Sequence, residues 1–125
     1  MFRTLQSQPR IITLFCGDIS RNRPATNILN YLRDKQNEKV IDVEIHDKFP
    51  TRDQLQYMYR TDSKLLSHEI NGLGDILKTA PQQLPFGQSL IEAATAGVWN
   101  NGALWVDWEK QKMGNTLRSI EAHLK

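Results

Sequence analysis

Hydrophobic and polar positions alternate most clearly near the C-terminus. Leu104, Val106 and Trp108 interleave with Ala103, Trp105 and Asp107 at the period of two expected of a strand. The run carries little charge, so both of its faces can be covered, which suits an interior strand. A polar Glu109-Lys110-Gln111 turn leads to a short second run, Lys112 to Gly114. Leu117, Ile120 and Leu124 then recur at helical spacing, with Asn115 placed to cap that helix. At the other end, Arg10 to Phe15 (RIITLF) reads as a β-branched strand ending at Cys16-Gly17. Ser20 or Asn22 can cap the helix that follows. Pro24 sits in its first turn, and Ala25, Ile28, Leu29 and Leu32 line one face. From Val40 to His46, Ile41, Val43 and Ile45 alternate with Asp42, Glu44 and His46, a half-exposed strand.

The middle of the chain is helical in pieces. Thr51 and Gln54 have capping-box spacing after Phe49-Pro50, and Leu55 and Met58 supply an apolar face. Ser63 to Lys78 reads as two helices broken around Asn71-Gly72-Leu73-Gly74. Residues 79–87 form a loop with two prolines, and Ser89 to Ala96 a helix stopped by Gly97. The resulting order is βαβ, then helices, then ββα. A strand, helix and strand in sequence give a right-handed parallel crossover, and the closing hairpin adds antiparallel strands. The expected fold class is therefore α/β and thioredoxin-like, a four-stranded mixed sheet with helices on both faces.

Composition narrows the possibilities. The 125 residues suit a single domain with a sizeable core. No apolar run approaches the ~20 residues needed to cross a bilayer, so an integral membrane protein is not expected. A scattered net charge of +2 gives no electrostatic footprint for nucleic acid. The lone Cys16 excludes an internal disulfide and fits a reducing compartment. Residues 1–9 contain Arg3 and no acid, the composition of a short mitochondrial targeting segment.

Several longer strings resemble a known family. They are Thr4-Leu5-Gln6 with Gln8-Pro9-Arg10, Phe49-Pro50-Thr51 followed by Asp53 to Met58, Phe86-Gly87, and Gly97-Val98-Trp99-Asn100. To these add Ala103-Leu104-Trp105-Val106-Asp107-Trp108-Glu109 and Gly114-Asn115. Together they resemble the fungal family of mitochondrial redox proteins with a thioredoxin-like fold. The resemblance covers nearly the whole chain and implies a thioredoxin-like domain, a mitochondrial location and redox chemistry. In at least some family members the cysteine proposed as active lies in the helix just before the Gly-x-Trp string, and the matching position here is Ala93.

Candidate chemistry then centres on Cys16. It stands at the carboxyl end of the first strand, before a helix, with Arg21 and Arg23 close in sequence. Asp18 opposes the thiolate, and no Cys-x-x-Cys is present. The alternative is a small buried side chain at a strand end. Where thioredoxin-like enzymes place a proline before the third strand, this chain has Asn101-Gly102-Ala103. His46, His68 and His123 show no ligand spacing with Cys16, so no metal is expected. Asp107 and Glu109 flank Trp108, and Asp107 is expected to bond turn backbone. Of Trp99, Trp105 and Trp108, one or two are expected in the core, and any exposed one would mark a partner surface.

Three functions follow. The first is a single-thiol oxidoreductase acting on small molecules through Cys16, with an external thiol such as glutathione completing the cycle. The second is a catalytically inactive thioredoxin-like module that binds a ligand or protein through Trp, Tyr57 or Tyr59. The third is a subunit of a mitochondrial assembly.

Overall fold

The structure is a computed structural model that describes residues 10–38 and 41–124. The segment read as a targeting sequence, residues 1–9, and Val40 at the start of the second expected strand lie outside the described residues. Strands β1 (Arg10–Phe15), β2 (Ile41–His46), β3 (Leu104–Asp107) and β4 (Lys112–Gly114) form one sheet in the order β2-β1-β3-β4. β1 and β2 are parallel, with Arg10 opposite Ile41 and Phe15 opposite His46. β3 runs antiparallel to both β1 and β4, with Ile12 opposite Asp107 and Val106 opposite Met113. This is the four-stranded mixed α/β sheet that the hydrophobic pattern predicts. β3 is interior, and all four of its residues are buried.

The parallel pair is joined by α1 (Arg23–Gln36). Asn22 caps it, the Asn22 side chain accepting from the Ala25 N–H at 3.1 Å, while Pro24 occupies the first turn where its missing N–H costs nothing. Its Ala25, Ile28 and Leu32 pack with Ile12, Leu14, Cys16 and Trp105 into one half of the core. Leu29, expected on the same face, is only packed against that cluster from its edge. The closing helix α6 (Leu117–His123) covers this same side of the sheet through Ile120. Its cap is Thr116, not Asn115: Thr116 and Ser119 form a reciprocal capping box, leaving the Asn115 amide free to bond Glu69.

Helices α2 (Arg52–Thr61), α3 (Ser63–Glu69), α4 (Leu73–Ile76) and α5 (Leu90–Thr95) follow β2. The Thr51–Gln54 capping box opens α2 as its spacing predicts. Asp62 caps α3, whose Leu65 N–H it accepts, and α4 starts at Gly72, in the left-handed conformation that glycine adopts without penalty. Phe15, Leu104 and Val106 of the sheet, Leu55 and Met58 of α2, Leu66 of α3, and Leu90 and Ala93 of α5 make the other half of the core, with Trp99. The sheet thus separates two apolar layers. Each apolar layer holds side chains that recur on one face of their helix.

Candidate functional site

Cys16 follows the last residue of β1, and its N–H donates to the His46 carbonyl at 3.1 Å, extending the parallel pair by one bond. Its side chain turns into the layer beneath α1 and is 1% exposed. Burial pushes the thiol pKa above its ordinary value, and the nearby Asp18 charge pushes the same way. A backbone bond at Asp18 and the Asn22 side-chain amide oppose that shift without cancelling it. The expected help from Arg21 and Arg23 does not appear. Arg21 instead faces Asp18 at 3.6 Å with most of its side chain in solvent. A protonated, dry sulfur at neutral pH is the result.

Ala93, the position that the resemblance matches to a cysteine proposed as active, is fully buried in α5. Its carbonyl accepts from both Val98 and Trp99, at 2.9 and 3.1 Å, which ends the helix and turns the chain into the Gly97–Asn100 segment. α5 lies against the end of β1: a Cβ on Gly17 would come within 3.2 Å of Ile91.

Between these elements opens a cleft of about 570 Å³, lined by Asp18, Arg21 and Asn22 on one side and by Ile91, Trp99 and Asn101 among others on the opposite side. That volume is within the range of small-molecule sites. Asn22 spans it, since the same side chain that caps α1 donates to the Asn101 carbonyl at 3.3 Å. Asn101 has φ 59°, a left-handed conformation that asparagine tolerates better than most residues. The far wall is tied down by amides. Asn71 donates to the Gly97 carbonyl at 2.8 Å and to Asn100 at 2.9 Å, and Asn100 in turn bonds the His68 carbonyl. Just before β3, Gly102 packs on the buried carboxylate of Glu69, leaving no room for a Cβ. A cis Leu84–Pro85 bond lies elsewhere, in the loop between α4 and α5.

Asp107 is the other concentration of charge, and it is fully buried. One oxygen accepts from the Lys110 N–H at 3.2 Å, the turn-backbone bond expected of it. The second oxygen pairs with Arg10 Nε at 3.3 Å and His123 Nε2 at 2.8 Å. His123 stacks on Trp105 with ring centres 5.1 Å apart, and Trp105 Nε1 donates to Ser119 Oγ at 2.8 Å. These partners are distant in sequence, so spacing alone could not join them. His46 meets Glu44 at 3.2 Å and the edge of Phe15, and His68 is exposed on α3. Among the described residues no cluster of His, Cys, Asp and Glu is arranged to hold a metal ion.

Trp99 and Trp105 are core, as the count of one or two allowed. Trp108 is partly buried, its Nε1 donating to Thr13 Oγ1 at 2.8 Å and its carbonyl accepting from Tyr57. Tyr57 is therefore committed to the fold, whereas Tyr59 is exposed. No helix of the described residues is long and apolar enough to cross a membrane.

The family model described as "Protein of unknown function (DUF1687)" matches residues 2–116. Three relatives are each named "Putative redox protein FMP46, mitochondrial". That of Candida glabrata is 43% identical over 126 residues, covering 100% of this chain and 97% of the relative. That of Kluyveromyces lactis is 40% identical over 122 residues, covering 97% and 93%. That of Saccharomyces cerevisiae is 39% identical over 128 residues, covering 98% and 95%. The solution NMR structure of a Saccharomyces cerevisiae protein, 38% identical, superposes with a TM-score of 0.55 over 97% of this chain and 93% of that one. With the family match running nearly end to end and full-length relatives named as mitochondrial proteins, this chain belongs to the DUF1687 family.

Proposed function

We propose that this chain is a mitochondrial, thioredoxin-like member of a redox family that works by binding a small molecule in its cleft, without a standing thiolate. The observation that carries this reading is the state of the only sulfur nucleophile. Cys16 is 1% exposed, its pKa is raised by burial, and the alternative position is Ala93. A thiol needs exposure and a lowered pKa to react, and Cys16 has neither. The cleft, by contrast, is open and lies over the carboxyl end of a parallel strand, the place where open α/β sheets bind ligands. The mitochondrial assignment rests on the names of the relatives.

A second reading is favoured by where Cys16 lies, next to Asp18 and Asn22, both of which line the cleft. As a single-thiol oxidoreductase, Cys16 thiolate attacks a small-molecule disulfide, forming a mixed disulfide and expelling one thiolate. Glutathione then attacks the substrate sulfur of that mixed disulfide, restoring Cys16 and carrying the substrate sulfur away.

One experiment separates the two: the rate of Cys16 alkylation against pH, folded and in denaturant. The binding reading expects slow labelling of the folded chain, with a midpoint above the ordinary thiol value of 9.0. Fast labelling of the folded chain with a midpoint below that value would sink it and establish the oxidoreductase reading.

A further inference from the structure

β2 is an outer strand of the sheet, with β1 on one side and no described strand on the other. In a parallel ladder, alternate residues turn both backbone groups toward the same neighbour. The His46 carbonyl accepts from the Cys16 N–H, so His46, Glu44 and Asp42 face β1. Val43 and Ile45 therefore turn their N–H and C=O groups outward, where no described backbone group pairs with them. The edge is closed at both ends. The Gln36 amide donates to the Ile41 carbonyl at 3.4 Å, and beyond the strand the Leu90 N–H donates to the Asp47 carbonyl at 2.7 Å. What stays open is a short stretch in which Val43 and Ile45 each offer a donor and an acceptor.

The side chains along this stretch decide what can add to it. Asp42 and Glu44 are exposed on one face of the strand. On the other face Val43 packs partly against the α1 layer, and Ile45 is 38% exposed. An open strand edge templates another strand unless a bulge, a proline or charge forbids it. β2 has neither bulge nor proline, so charge selects the partner. A second copy of the chain is refused. The antiparallel register that pairs Val43 with Ile45, and so closes every outward group, sets Glu44 directly opposite its twin across the two-fold axis. Like charges in that position are destabilising. Shifting the copy either way sets Val43 against Asp47 or Ile45 against Ile41, whose carbonyls Leu90 and Gln36 already hold.

We propose that β2 takes up an extended segment of a partner protein as a fifth strand, and that this segment alternates basic and apolar residues. Its lysine or arginine side chains lie beside Asp42 and Glu44, its apolar side chains beside Val43 and Ile45, and its backbone closes the outward groups of Val43 and Ile45. The backbone bonds supply affinity, and the alternation of side chains supplies specificity. None of these residues lines the cleft, so the two surfaces are tested separately.

The test follows hydrogen exchange of the Val43 and Ile45 amides in the full chain, with and without a blocked peptide of alternating lysine and valine as long as β2. Peptide at about ten times its Kd should slow both amides about tenfold, because exchange then proceeds from the free chain alone. Glu44→Lys should weaken binding about fivefold and make the edge prefer a peptide of alternating glutamate and valine. Ile45→Pro removes an N–H that points away from β1, so the ladder to β1 survives while the docking donor is lost, and binding should fall by a similar factor. A peptide of the same composition, with its lysines and valines in separate blocks, should bind at least about fivefold more weakly. Equal binding of the blocked-out sequence would reduce the effect to charge attraction and overturn the added strand. Unchanged exchange at Val43 and Ile45 would overturn it as well. Protection of both amides that grows with the concentration of the chain alone would give the edge to a second copy instead.

Discussion

The two ends of β1 treat charge in opposite ways. At its start, Arg10 joins His123 on a carboxylate, Asp107, that is fully shut off from water, and Asp107 also holds the hairpin turn through Lys110. At its end, Asp18 and Arg21 face each other loosely in solvent above a thiol that has no charge at all. The buried cluster ties β1, the β3–β4 turn and α6 together, and its carboxylate has both oxygens engaged. The cleft keeps its rim pair in solvent. The charges of the buried cluster are held against one another, whereas the rim pair lies in water and parts easily.

The sharpest way to break this contrast is to remove each carboxylate in turn. Asp107→Ala strands Arg10 and His123 beside an apolar layer, and removing one partner of a buried charge pair costs about 3–5 kcal/mol. Urea unfolding should show a midpoint far below that of the parent chain. Asp18→Ala should leave the midpoint close to it. Comparable losses from both would mean that the two ends are not different in kind.

Gly102→Ala tests the wall of the cleft. Its Cβ would run into the Glu69 carboxylate, which is held from the other side by Asn115 at 3.1 Å. Crowding of this sort costs about 1–3 kcal/mol, and Glu69→Ala in the same chain should return part of it. A double-mutant cycle of urea midpoints measures the coupling. Additive losses would show that the loop relaxes without regard to Glu69.

How far the sequence could be read follows the same division. β3 was legible because alternation and burial coincide in Leu104, Trp105 and Val106, and α2 because Thr51 and Gln54 carry their own cap. The α6 cap was misplaced by one residue. Asn115 and Thr116 are both good caps, and what decides between them is that the Asn115 amide is drawn away to Glu69. The Asp107 cluster was half legible: its bond to Lys110 is local, while Arg10 comes from the far end of the chain. The cleft was not legible from spacing at all. Asn22, Asn71, Asn100 and Asn101 each look like ordinary turn residues, and only the crossover of α1 and the packing of α5 bring them to one opening. Cys16 was placed correctly along the chain, but its exposure depended on how α1 covers it.

Asn22 links the two kinds of polar group, because one side chain serves both the fold and the cleft. Asn22→Ala removes the cap of α1 and should cost about 1 kcal/mol. Asn22→Ser keeps an oxygen for the Ala25 N–H but has no amide for the Asn101 carbonyl, so its urea midpoint should fall by only a few tenths of that. If Ser and Ala lose the same stability, the bond across the cleft, and not the cap, is what Asn22 contributes to the fold.

The smallest effect concerns Cys16 itself and has a definite sign. Below the ordinary thiol value of 9.0 both folded and unfolded chains keep the proton, so the raised folded value costs nothing. As pH rises past 9.0 the unfolded chain gives up its thiol proton first, binds fewer protons than the folded one, and stability falls. The decline ends once pH has passed the raised value and the folded thiol has titrated too. Tyr57, also raised by burial, acts in the same direction from 10.0 upward and is present in every variant of Cys16. Urea midpoints of the parent chain and of Cys16→Ala, measured on the alkaline side, should therefore converge or cross as pH climbs, because only the parent carries the thiol's share of the loss. Parallel curves would mean that the thiol titrates alike in both states. The dry sulfur at the end of β1 would then be no drier than in the open chain, and the contrast with Asp107 would rest on charge alone.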